Sequence, residues 1–292
     1  MLRKLFNFLK QLFSKTENAE TGVVDSGETT TIDVVDVVDD MESGETISAA
    51  TSVDVSDQTD GLDAAENVES GYVSQFKILV DNGHGIETSG KRSPWSAHKV
   101  KPEIEFFEYK WNREIAKPIV EELRKRGYDA ELIVTEERDI SLTERANRVN
   151  KICKEVGTSN VIFLSIHANA AGHGDKWMTA RGWCAYTTKG KTKSDEFAEF
   201  LYDEAEKNFK GHTIRKDKSD GDRDWEANFT VIFKSLCPAV LTENFFYDNV
   251  DDVNYILSEE GRAAVIKTHV DGTINYIKHV EDERRKQGYH QA

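Results

Sequence analysis

Val161-Ile162-Phe163-Leu164-Ser165-Ile166-His167-Ala168-Asn169 is an apolar, β-branched run that ends on an imidazole. Lys77-Ile78-Leu79-Val80-Asp81-Asn82-Gly83-His84-Gly85 has the same form, and Ala239-Val240-Leu241-Thr242-Glu243 ends on a carboxylate instead. Short apolar runs of this kind read as strands buried on both faces, as in a parallel sheet. A polar group at the end of such a strand lies at the carboxyl edge of the sheet, where open α/β folds build their sites. Imidazole and carboxylate are also the ligand types of a catalytic zinc. Each histidine alone has an ordinary structural explanation. The three runs together point to a metalloenzyme.

Outward from these runs, strand and helix signals alternate. Further strands are expected at Ala130–Thr135 and Gly182–Thr187, with a weaker one at Phe229–Phe233. Helices are expected over Glu108–Arg126, Leu142–Val156, Ser194–Phe209 and Ser258–Arg285. Ser141-Leu142-Thr143-Glu144 has the form of a capping box at the start of the second helix, and Gly127 and Gly157 follow the ends of the first two. Pro118 falls inside the first and predicts a kink. This alternation specifies an α/β fold: one domain with a mainly parallel, twisted sheet of about six strands, covered by helices on both faces.

The 292 residues carry a net charge of -15, unevenly spread. Residues 16–76 hold sixteen Asp and Glu and no Lys or Arg, while the first fifteen residues hold four basic residues and no acidic one. The rest keeps 34 of the 38 basic and 37 of the 53 acidic residues, close to neutral. No basic stripe with interleaved aromatics marks a nucleic-acid surface. Cys153, Cys184 and Cys237 lack CxxC spacing and read as core thiols rather than a disulfide framework or thiolate metal site. No apolar run is long enough to span a bilayer.

Residues 1–15 place Leu2, Leu5, Phe6, Leu9, Leu12 and Phe13 at helical spacing beside Arg3, Lys4, Lys10 and Lys15. A basic amphipathic helix of this kind suits a membrane surface or a partner groove. Lys10 interrupts any signal-peptide core and no small-residue cleavage site follows closely, so no clear signal peptide is read. Residues 16–75, rich in Asp, Glu, Ser, Thr and Gly, cannot bury enough apolar surface to offset their ordering entropy and read as a disordered acidic tether. The catalytic domain is expected over 76–287, with a short tail at 288–292.

From Phe76 to the last helix the chain resembles the zinc-dependent N-acetylmuramoyl-L-alanine amidases of the Amidase_3 family. The motifs that carry the resemblance run in family order. They are the Gly-His-Gly turn at 83–85, Glu108 followed by Asn112, Leu142 with Glu144, Arg145 and Asn150, Ser-Ile-His-Ala-Asn at 165–169, and Pro-Ala-Val-Leu-Thr-Glu at 238–243. The resemblance implies one zinc ion held by His84, Glu108 and His167, and Glu243 as the catalytic carboxylate. It implies peptidoglycan as substrate, cut between N-acetylmuramic acid and L-alanine. Asn169 and Arg145 are candidate substrate-binding residues.

Several positions depart from the pattern: Asn82 stands where Pro is commoner, Ile86 replaces a second glycine, and Phe245 sits where the family usually has Gly. The stretch 87–107 is longer than the family's loop and contains His98, Glu87, Glu103 and Glu105, which compete with Glu108 as ligand; His173 is a further rival. Two other functions fit the same residues. One is a zinc carboxypeptidase acting on stem peptides, which needs a cation such as Arg145 or Arg181 for the terminal carboxylate. The other is a non-catalytic module that binds cell wall. Action at the cell wall or periplasm is expected, reached by phage-type release as an endolysin or by membrane-associated delivery.

Overall fold

In a computed structural model, the structure describes residues 74–288. The amphipathic helix expected at 1–15, most of the expected acidic tether and nearly all of the tail lie outside the described residues. Six strands form one sheet: β1 (Lys77–Asn82), β2 (Asp129–Leu132), β3 (Val161–Asn169), β4 (Cys184–Thr187), β5 (Trp225–Glu226) and β6 (Ala239–Phe246). Their order is β2-β1-β3-β6-β4-β5. The pairs β1–β2, β1–β3 and β3–β6 are parallel, and so is β4–β5, whereas β4 runs antiparallel to β6. The reversal has a local cause. The residues between β3 and β4 contain no helix to carry the chain back across the sheet, so β4 starts at the edge where β3 ends.

The helices are α1 (Pro94–His98), α2 (Glu108–Lys125), α3 (Leu142–Val156), α4 (Lys193–Asn208), α5 (Thr230–Phe233), α6 (Val250–Leu257) and α7 (Glu259–Lys286). The central strands offer alternate side chains to two cores. Ile78, Val80, Leu164, Ile166 and Val240 face α2, α4 and α7 in one core. Leu79, Phe163, Leu241, Cys184 and Tyr186 belong to a second core with Val149 and Cys153 of α3 and Val231 and Ile232 of α5. All three cysteines are buried and free. Ser141 caps α3 by accepting from the Glu144 amide, and α2 continues through Pro118.

The local differences from the sequence reading have identifiable causes. Phe229–Phe233, weakly expected as a strand, forms the short helix α5, closed by Phe233 N–H to Phe229 O at 2.8 Å and Lys234 N–H to Thr230 O at 3.0 Å. Its β-branched residues imitate a strand, yet Phe233 is left exposed. Helix α6 was not anticipated, although its signal was present: the Asn249 side chain accepts from the Asp251 and Asp252 amides.

His269 on α7 is fully buried against the back of β6. Val265 O can only accept, so His269 Nδ1 donates to it at 2.7 Å and Nε2 accepts the Thr242 hydroxyl at 2.8 Å. Burial pushes this imidazole down to about 4 from 6.5. The unfolded chain therefore takes up a proton first as pH falls. The stabilisation is complete above about 6.5 and is lost between about 6.5 and about 4, amounting to roughly 3 kcal/mol. Denaturant unfolding at pH 7 and pH 4 should show this loss, and His269→Gln should remove that share of it. Equal pH dependence in the two proteins would refute the assignment.

Candidate metal centre

Strand β1 ends in a turn that the surrounding side chains hold in one shape. Gly83 N–H donates to Ile166 O on β3, and Asn112 Nδ2 on α2 donates to Gly83 O at 3.1 Å. The His84 carbonyl accepts from Arg113 Nη1 at 3.0 Å and from Arg145 Nη2 at 3.1 Å. His84 has φ of 65°, the left-handed region that disfavours side-chain-bearing residues. The flanking glycines are required by space. A Cβ on Gly83 would overlap the His167 imidazole, and one on Gly85 would overlap the Asp139 backbone.

Arg145 makes five contacts with five donors. Nε donates to Ile140 O, Nη1 to Asp81 Oδ1 at 2.6 Å and to Asn82 O, and Nη2 to His84 O and Asp139 Oδ1. Its side chain and that of Asp81 are each only 1% exposed. The expectation that Arg145 contacts substrate gives way to a scaffold role, because no donor is left to offer. Asn169 remains half-buried at the end of β3; its side chain accepts from the Ala170 amide.

His84, Glu108 and His167 bring one ligand atom each within 4.8 Å of one another. Glu108 sits in the first turn of α2, where the helix N-terminus favours a carboxylate. Its Oε1 accepts from the Ala168 amide at 3.1 Å and faces His167 Nδ1 at 3.1 Å. Its Oε2 lies 3.3 Å from His84 Nε2, yet is buried without a hydrogen-bond partner. The two imidazoles meet edge-on, with ring centroids 4.8 Å apart. A buried carboxylate that turns one oxygen to each of two imidazoles, with Oε2 lacking a well-formed hydrogen bond, fits a divalent metal.

The rival ligands do not join this group. His98, Glu87, Glu103, Glu105 and His173 are all exposed, and Glu87 accepts from the Asp139 amide. Three tryptophans have rings that could stack on a substrate, but Trp183 is wholly buried and donates to Asn244 Oδ1, and Trp177 donates to Val100 O. Trp225 is half-buried on β5.

Glu243 stands beside His167 in the β3–β6 register. Burial pushes its carboxyl up to about 7, the His167 charge opposing and the Glu108 charge reinforcing the rise. Burial also acts upward on Glu108, but the two histidines outweigh it and hold that group well below the usual range. Glu243 Oε2 is buried without a partner. The edge of the sheet thus carries an ionised carboxylate between two imidazoles and a second carboxylate poised to gain or lose a proton.

The family model described as Amidase_3, N-acetylmuramoyl-L-alanine amidase, matches residues 78–275. The chain belongs to this family. An endolysin of Bacillus phage SPP1 is 26% identical over 200 residues, covering 67% of this chain and 64% of that protein. The N-acetylmuramoyl-L-alanine amidase CwlM of Bacillus licheniformis is 26% identical over 200 residues, covering 67% and 66%. The chain thus spans slightly under two thirds of the length of these curated relatives. Among solved structures, an N-acetylmuramoyl-L-alanine amidase from Clostridium difficile 630 superposes with a TM-score of 0.57 at 24% identity, covering 70% of this chain and 98% of that one. AmiC2 of Nostoc punctiforme gives 0.54 at 22% identity, covering 70% and 98%. At these identities the structural likeness speaks for the fold.

Because the His167 ring occupies the space a Cβ at position 83 would need, Gly83→Ala should displace a side chain of the candidate metal site. Zinc titration against a competing chelator is expected to show affinity lowered by about 10–100-fold, the range found when a ligand loses its support. Unchanged affinity would show that the close approach of Gly83 is not needed.

Proposed function

We propose that the chain is a peptidoglycan hydrolase that cleaves the amide between the lactyl group of N-acetylmuramic acid and L-alanine. The observation that carries this reading is the convergence of one ligand atom each from His84, Glu108 and His167 within 4.8 Å, with Glu243 in register beside His167. Membership of the Amidase_3 family supplies the bond. His84, Glu108 and His167 would hold one zinc ion, a three-residue N/O ligand set of the type catalytic zinc uses. Zinc held there supplies Lewis acidity, lowering the pKa of water toward about 7 and polarising a carbonyl.

Glu243 does the proton work. With its pKa raised to about 7, its carboxylate takes a proton from the attacking water and the resulting acid hands it to the departing L-alanine nitrogen. A group whose two protonation states are both accessible near neutral pH serves both halves of that transfer. The side chain is half-buried and its Oε2 has no hydrogen-bond partner, which leaves a lone pair for water and amine. Asn169, at the rim on the end of β3, is the remaining candidate for substrate contact.

Features of the site weigh against the two other readings. A carboxypeptidase needs a cation for the terminal carboxylate, but Arg145 is fully engaged and Arg181 lies against Asp251 and Asp252. A binding module has no need of a carboxylate held near pKa 7. Glu243→Ala is expected to keep its zinc and to lose about 10²–10⁴-fold in stem-peptide release from peptidoglycan, read by mass analysis of the digest. Retained cleavage would sink the role of Glu243. Release of single terminal amino acids by the parent enzyme would replace the amidase reading with the carboxypeptidase one.

Delivery to the wall is read from the sequence of residues 1–15, whose Leu and Phe positions and four basic residues suit an anionic membrane surface. Full-length protein should cosediment with anionic vesicles, and a chain lacking residues 1–15 should bind several-fold less. Equal binding would remove this anchor.

A further inference from the structure

Arg215 was not singled out by any motif, and the sheet sets it in line with the site residues. Its backbone lies alongside the start of β4: Trp183 N–H donates to Thr213 O at 3.0 Å and Arg215 N–H to Trp183 O at 2.8 Å, so Ile214 pairs with Trp183 in parallel. One residue on, Arg215 stands beside Cys184. Cys184 in turn pairs with Glu243, and Glu243 with His167. Paired neighbours in a sheet point to the same face. His167, Glu243, Cys184 and Arg215 therefore form one row across the sheet, on the face that carries the chemistry.

The guanidinium is held without being neutralised. It lies 5.2 Å from the Phe246 ring and 5.5 Å from the Trp225 ring. Among the described residues it makes no ion pair and no side-chain hydrogen bond, and none of its nitrogens is sealed from solvent. Of the other arginines around the site, Arg145 is committed to Asp81, Arg113 to backbone carbonyls, Arg181 to acidic neighbours, and Arg223 to Glu199, Asp203 and Glu206, whereas Arg92, bridged to Phe107, has its Nε buried without a partner rather than open. The Arg215 charge reaches Cys184 and Tyr186, and both also feel Glu243. Two aromatic faces that restrict a guanidinium, with its fork of donors left open, make a preorganised carboxylate receptor.

Distance selects which carboxylate. Two strand spacings, about 10 Å, separate the backbone at 215 from that at Glu243, and a stem peptide advances about 3.4 Å per residue. The guanidinium reaches back along the row to the Phe246 ring of β6, so a stem peptide laid from the metal-site residues toward β4 would bring its second residue beyond the scissile amide near the fork. In peptidoglycan that residue is an isoglutamyl unit whose α-carboxyl is either free or amidated. We propose that Arg215 is a specificity-determining residue that binds the free carboxylate of this unit, so that the enzyme prefers acidic stems to amidated ones. The inference rests on the amidase reading of the same site.

The test compares two synthetic muramoyl peptides that differ only in whether the second residue is isoglutamate or isoglutamine, with the full-length zinc enzyme and its Arg215→Gln and Arg215→Lys variants. The parent should favour the acid in kcat/KM by about 10–100-fold, the worth of a hydrogen bond to a charged group, carried mainly in KM. Arg215→Gln should collapse that ratio toward one, and Arg215→Lys should keep part of it. A parent ratio at or below one overturns the proposal even if neither variant folds. So does a ratio unchanged in Arg215→Gln. Calorimetric binding of both peptides to zinc-loaded Glu243→Gln separates the two levels. If the parent cleaves neither peptide but Glu243→Gln still prefers the acid, the amidase reading fails and the carboxylate receptor stands. If cleavage occurs without preference, the receptor fails and the amidase reading stands.

Discussion

The buried ion pair between Arg145 and Asp81 is the constraint on which the metal centre depends. A charge pair that is 1% exposed on both sides has lost nearly all its hydration, and its mutual attraction repays that loss only if every remaining donor and lone pair is used. Here they are used to fix backbone. The guanidinium holds the carbonyls of Asn82, His84 and Ile140 as well as two carboxylates, and Ser165 donates to the other oxygen of Asp81 at 2.8 Å. One side chain of α3 thereby ties the end of β1, the His84 turn and the loop before α3 to β3. His84 is kept at positive φ by this network rather than by its own preference. Strain at such a residue persists only where its surroundings over-determine it.

Electrostatics then divides the two site carboxylates. Glu108 is fully buried and Glu243 half-buried, and desolvation acts to raise both. Glu108 lies within contact of two imidazoles and accepts a backbone amide, so it stays ionised and suits a ligand. Glu243 has a more distant cationic neighbour and feels the charge of Glu108, so it sits near 7. Pairs of titratable groups whose surroundings push their pKa values apart mark a division of labour. The division follows from the register of the strands: β3 and β6 set His167 and Glu243 side by side, while α2 brings Glu108 in from the opposite face.

The strand-ending pattern was legible because buried parallel strands have no polar face to blur it, and β1, β3 and β6 came through as runs ending on His84, His167 and Glu243. Glu108 needed a motif, since a glutamate at a helix start is common and the long stretch before it offered rival ligands. The inward role of Arg145 was illegible, because an arginine on an amphipathic helix reads alike whether it clamps an aspartate or faces a substrate. Arg215 left no trace, because its position depends on a single bridge beside β4 that neither period nor motif announces. Short elements such as β5 and α5 are set by tertiary packing, which outweighs local propensity over two to four residues.

The β-bulge after Glu243 ties these threads together. His167 pairs with Glu243 and Asn169 with Phe246, so β6 spends three steps where β3 spends two. The extra residue lets Asn244 turn inward, where Nδ2 donates to His167 O at 2.8 Å and Oδ1 accepts from Trp183 Nε1 at 2.9 Å. A bulge of this type asks one residue for positive φ, commonly glycine, and the family resemblance places glycine there. This chain has Phe245 at φ of 67° instead. The left-handed backbone costs about 1–2 kcal/mol, while full burial of a phenyl side chain returns about 1.5–3 kcal/mol. The ring is wholly buried and meets Phe209, Tyr255 and His212 edge-on at 5.1, 5.1 and 5.7 Å. Packing therefore does here what a glycine does elsewhere. It holds the bulge in one conformation, and with it the spacing of His167, Glu243 and the Phe246 ring beside Arg215.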